Sequence, residues 1–241
     1  MTRILVNSNG LLIARDDELL DLLTRHRERV EVYLQFDGVS AEASRHHRGG
    51  DLRGGLKAAA VRRLSEREIF TTLVMTAALG VNDGEIGDVV TLALDTPYVS
   101  GVSVQPQFGS GRSGVIDPMN RLTHTGVLKR LGPQTDGLVS WRDLTALPCS
   151  HPHCCSVGYM IRDDSDQWRS LTALMGHDRL KENLGWCPTG SPTARCLARC
   201  GWPSENRCSA CSPSNRRCRI LKWARCGAAS ARAAIWARRR C

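Results

Sequence analysis

Residues 30–37, VEVYLQFD, decide how this chain folds. Val30, Val32, Leu34 and Phe36 fall on one side of an extended segment, and Glu31, Tyr33, Gln35 and Asp37 on the other. A parallel strand buried on both faces normally reads as an unbroken apolar run. This one keeps a polar face. On either side lie helix-like segments. DDELLDLLTRHRER (16–29) opens with acids and closes with bases, which suits the helix dipole, and its leucines cluster on one face. LRGGLKAAAVRRLSERE (52–68) is a second helix despite its early glycines. Further out, RILVN (3–7), IFTTLVMTA (69–77) and VSGVSVQPQ (99–107) read as strands, and DGEIGDVVTLALD (83–95) and THTGVLKRL (123–131) as helices. Alternation over four repeats predicts an α/β fold with a parallel sheet and right-handed crossovers, open or curled into part of a barrel.

The polar face recurs. Leu5 shares its side with Asn7 and Asn9, and Gly101, Ser103, Gln105 and Gln107 share another. These groups gather toward the carboxyl ends of the strands, where α/β folds place their sites. The pattern predicts a hydrated cavity for a polar ligand. The plainer alternative is that such residues only end the strands.

Charge divides the chain near Gly185. Residues 1–185 carry 21 Lys+Arg against 23 Asp+Glu, whereas residues 186–241 carry 12 basic residues and the single acid Glu205. Eight of eleven cysteines also fall after 185, so the thiols and the positive charge share one segment. That segment lacks Val, Asp, His, Gln, Met, Phe and Tyr and shows no apolar period. Its composition is that of G+C-rich DNA read out of frame, and it reads as a frameshifted, disordered tail. Two alternatives stay open: a disordered basic arm, or a zinc module on Cys196, Cys200, Cys208 and Cys211 acting as a nucleic-acid binder. The domain reading is therefore 1–147, 148–185 and 186–241. No signal sequence opens the chain, and the longest apolar stretch, Leu73–Val81, is too short to cross a bilayer, so the body reads as cytoplasmic.

ILVNSNG, VYLQFDGVS, TLVMTAALGVNDGEIGDVV and VSGVSVQPQFGSGR, in that order and spacing, resemble the radical S-adenosylmethionine (SAM) superfamily. They resemble strands three to six of its partial (β/α)6 barrel, most closely the tetraether lipid synthase-like group, over roughly residues 3–160. The resemblance implies SAM and a 4Fe-4S cluster as cofactors. It implies cleavage of SAM to a 5′-deoxyadenosyl radical and hydrogen abstraction from an unreactive C–H bond of a small or lipid-like substrate. It also implies that Ser8, Asn9 and Gly10 border the SAM pocket, that Gln35 and Asp37 approach the methionyl or ribose groups, and that Asn82 sits beyond the next strand. Gln105, Gly109 and Arg112 would line the ribose or carboxylate side, Arg112 through its two-pronged guanidinium.

The chain departs from that pattern at the decisive place. The CxxxCxxC loop that holds the cluster is absent from the body, and so are the first two strands. The expectation is a fragment inactive alone, or one half of a split enzyme whose N-terminal half is supplied in trans, with nucleic acid an unlikely partner. PCSHPHCCSVGY (148–159) brings Cys149, His151, His153, Cys154 and Cys155 close together, a donor set suited to iron–sulfur or zinc. By the resemblance, Cys149, Cys154 and Cys155 serve an auxiliary iron centre.

Overall fold

The computed structural model describes residues 4–48, 53–109, 116–146, 155–163, 165–180 and 220–224. The chain divides into two compact units, Met1–Gly137 and Leu138–Cys241.

The first unit is a sheet of four parallel strands in sequence order: β1 (Ile4–Ser8), β2 (Val30–Gln35), β3 (Thr71–Ala77) and β4 (Val99–Pro106). Between them run α1 (Asp17–Arg25), α2 (Ala41–Arg48), α3 (Arg53–Glu66) and α4 (Ile86–Asp95), and α5 (His124–Gln134) follows β4. When each strand is added beside the last through right-handed crossovers, every helix lands on one face of the sheet. The contacts agree. Arg63 and Arg67 of α3 pair with Asp17 and Asp21 of α1, and Gln134 at the end of α5 holds the Gly87 amide of α4 at 2.9 Å.

The predicted apolar row of β2 faces these helices. Val32 and Leu34 are fully buried, as are Leu73 and Met75 on β3 and Val102 on β4. Each such side chain contributes roughly 1.5–3 kcal/mol through burial. The opposite face carries the polar groups, and the register lines them up across strands. Asn7, Tyr33, Thr72 and Gly101 form one row, Gln35, Val74 and Ser103 the next, and Thr76 and Gln105 a third. At the β1 side the sheet is exposed: Ile4 and Leu5 are 49% and 45% accessible.

Two segments depart from expectation in this unit. AEASRHHR forms α2, a segment to which the sequence reading assigned no element. Its start is held from outside, as described below. The last helix does not stop at 131 but runs through Pro133 to Gln134, because the Gln134 side chain is clamped between the Gly87 amide and the Asp83 carbonyl.

In the second unit, β6 (Ser156–Arg162) pairs antiparallel with β5 (Thr145–Ala146) and β7 (Trp168–Ser170) along one edge and with β8 (Ile220–Ala224) along the other. The short helix α6 (Leu171–Met175) follows β7, and its Leu171 joins Cys155, Val157, Tyr159 and Leu180 in a small core. The stretch Ile220–Ala224 departs from the expected disorder of the tail, since it forms β8. The rest of 186–241 lies outside the described residues.

Candidate functional site

The carboxyl ends of β2 and β3 are tied into one hydrogen-bonded unit. Asp37, just past β2 and almost wholly buried, places Oδ2 at 3.2 Å from the Lys57 ammonium of α3. Its Oδ1 accepts the Thr76 amide of β3 at 3.2 Å. Lys57 also donates to the Gln35 carbonyl at 2.6 Å. A charge removed from water this thoroughly persists only when paired and hydrogen-bonded, and both partners meet that condition.

Asn82 extends the unit into the loop after β3. It is fully buried. Its Oδ1 accepts the Ala78 amide at 2.7 Å, and its amide nitrogen donates to the Thr76 carbonyl at 2.8 Å and to the Asp37 carbonyl. His47 Nε2 of α2 lies 3.2 Å from the same nitrogen. Three residues on, Glu85 accepts the Val39 amide at 2.6 Å and the Ser40 amide at 3.0 Å, and also the Ser40 hydroxyl. Ser40 Oγ in turn accepts the Ala43 amide at 3.1 Å. Ser40 thus caps α2 and the Glu85 carboxylate anchors that cap, which explains a helix so poor in apolar residues.

At the end of β1 the predicted residues serve their own turn. Ser8 Oγ accepts the Gly10 amide at 3.0 Å, and Asn9 Oδ1 accepts the Leu11 amide at 3.1 Å. Gly10 has φ +82°, and a Cβ there would lie 2.7 Å from Leu34 Cδ1 and 3.3 Å from Ala60 Cβ. A glycine is required by that close passage over β2 and α3, whether or not a ligand approaches.

Gln35 and Gln105 are half-buried on the polar face, and Gly109 lies exposed beyond β4. The same face holds a buried acid: Glu31 Oε1 accepts the Thr72 hydroxyl at 2.8 Å. Burial above all, and then the Glu31 charge, pushes the Tyr33 phenol well above its ordinary range, while a Thr72 hydrogen bond opposes the shift.

Arg112, Cys149, His151, His153 and Cys154 lie outside the described residues. Cys155 is buried in the core of the second unit. Among the described residues no group of three or more His, Cys, Asp or Glu side chains could hold a metal ion. A 4Fe-4S cluster needs several cysteine ligands, and the other ten cysteines of the chain lie outside the described residues. Among the described residues no helix is long and apolar enough to cross a membrane.

The sequence reading missed Lys57, Thr76, His47 and Glu85 as members of this unit. For Lys57 a signal existed. With Ala60, Val61 and Leu64 it occupies the i, i+3, i+4, i+7 stripe that α3 buries, so a lysine stands where the helix needs an apolar residue.

The sequence matches no protein-family model. Among curated proteins it is similar to a 7,8-dihydro-6-hydroxymethylpterin dimethyltransferase of Methanocaldococcus jannaschii, 26% identical over 167 residues. The likeness covers 60% of this chain and 33% of the relative, so the chain spans about a third of the length of the protein it matches.

Proposed function

We propose that this chain is the SAM-binding part of a radical-SAM enzyme, with its four strands forming an arc of the partial (β/α)6 barrel. One observation carries the reading. Four parallel strands in sequence order leave one face free of crossover helices, and that face bears registered polar rows that run toward a tied carboxyl rim. The similarity to a methyl-transferring enzyme, from a class that uses SAM with an iron–sulfur cluster, points the same way.

In this reading the Gln35 and Gln105 amides hydrogen-bond the ribose hydroxyls or the methionyl group, and Arg112 pairs with the carboxylate. Buried Val74 between them keeps water from that wall. Bound SAM supplies a sulfonium whose carbon–sulfur bond can be cleaved. The thiolates for the cluster come from polypeptide outside this chain, in trans or in a longer protein. The substrate is a small or lipid-like molecule with an unreactive C–H bond, and the setting is the cytoplasm.

Calorimetric titration of the full chain with SAM tests the reading. Saturable binding, competed by S-adenosylhomocysteine and weakened about 2- to 10-fold by Gln35→Ala or Gln105→Ala, is expected. Absence of saturable binding at about 1 mM SAM, the weak end of specific recognition, overturns it.

A further inference from the structure

We infer that Lys57 is a positioning residue for the SAM site: it aims the carboxyl end of β2 through the Asp37 carboxylate and the Gln35 carbonyl. The inference rests on the SAM reading above and adds to it the residue that holds the site in shape.

Of the three residues that the resemblance places near SAM on β2 and beyond β3, each has a group committed to this web. The Gln35 carbonyl takes the Lys57 ammonium at 2.6 Å, the Asp37 carboxylate takes it at 3.2 Å, and the Asp37 carbonyl takes the Asn82 amide. The Lys57 and Asp37 side chains are only 5% and 2% accessible, so neither projects to touch a ligand. What the pair controls is direction. The Gln35 side chain leaves β2 on the polar face while its own carbonyl is held by Lys57 of α3. The Thr76 amide, held by Asp37 Oδ1 at 3.2 Å, fixes the neighbouring strand against the same anchor. Thr76 is the register partner of Gln105, so one ammonium ion indirectly sets both amides that would meet the ligand. Small displacements of positioned groups cost large factors in affinity and rate.

The test uses the full chain and SAM itself. Lys57→Met removes the ammonium and keeps the stem; Asp37→Asn removes the opposite charge. Each is expected to weaken SAM binding at least about tenfold in protein that retains its native circular dichroism. The double variant K57M/D37N is expected to be no weaker than the poorer single variant, because two residues acting as a unit do not add. A structural prop alone would lower the melting temperature and leave the affinity of the folded protein unchanged, which would overturn the inference. Additive losses in the double variant would overturn it as well. If K57M does not fold, hydrogen exchange on the unaltered chain decides. Saturating SAM should slow the Thr76 amide and leave the Val32 amide, in the first half of β2, unchanged; equal behaviour of the two overturns the proposal. Failure of the unaltered chain to bind SAM removes both readings, whereas unchanged binding by folded K57M removes only this one.

Discussion

Tyr33 stands on the polar face of β2, half-buried, with the Glu31 carboxylate as a near neighbour on the same strand face. Burial and that negative charge both oppose the phenolate, so the folded protein keeps its Tyr33 proton above the ordinary value of 10.0. Over that range the folded state binds more protons than the unfolded chain, and stability must fall as pH rises. Denaturant midpoints measured from about pH 8 to pH 11 should therefore drop above about pH 10 in the unaltered chain and drop less in Tyr33→Phe. Parallel curves would show that Tyr33 ionises as it does in water. The polar alternation that exposes this residue was readable in VEVYLQFD, and so was Asp37 at its end, whereas Asn82 came only from the resemblance. Their partners were not readable. Asp37 meets Lys57 across 20 residues and Thr76 across 39, and Glu85 reaches Ser40 across 45. No local period records such pairings, since the topology brings the loops together only after the sheet has formed.

Gly87, at the second position of α4, carries the packing of two helices. A Cβ there would run into the backbone carbonyl of Gln134, the same residue whose side chain grips the Gly87 amide. Arg130 of α5 reinforces the junction through Asp83 at 2.6 Å. Backbone cannot yield as a flexible side chain can, so Gly87→Ala should destabilise by about 1–3 kcal/mol despite the better helix propensity of alanine. Gly84→Ala, in a site with no atom within 4 Å of the new methyl, is the control and should stay within about 1 kcal/mol of the parent by denaturant melting. Equal effects would mean that α5 shifts freely against α4. Elements with a period of their own were the ones open to reading: the leucine face of α1, and the alternation of β2. α2 was not, because AEASRHHR owes its start to Glu85 rather than to an apolar stripe. SVGYMIR, with Val157, Tyr159 and Ile161 on alternate positions, forms β6, a strand that the sequence reading did not assign beside the Cys/His stretch of 148–159.

The whole chain carries +9, yet residues 1–185 sum to 21 − 23 = −2 and residues 186–241 to 12 − 1 = +11. A charge so concentrated attracts polyanions whatever their sequence, because the gain comes from released counterions. A zinc module on Cys196, Cys200, Cys208 and Cys211 would behave otherwise, since its ligand geometry and hence its contacts exist only with metal bound. The two are separable on the intact protein. If charge alone acts, duplex DNA of any sequence should bind at about 50 mM salt, lose on the order of 10³-fold or more in affinity by about 200 mM, and ignore a zinc chelator. If a metal-built reader acts, the chelator should abolish binding, and a preferred sequence should survive competition by bulk DNA. The first outcome leaves the polar face of the four-stranded sheet as the place to seek specificity, since a polyelectrolyte segment supplies none. The second would make the basic segment a recognition element in its own right, and the SAM reading would then account for only part of what the chain does.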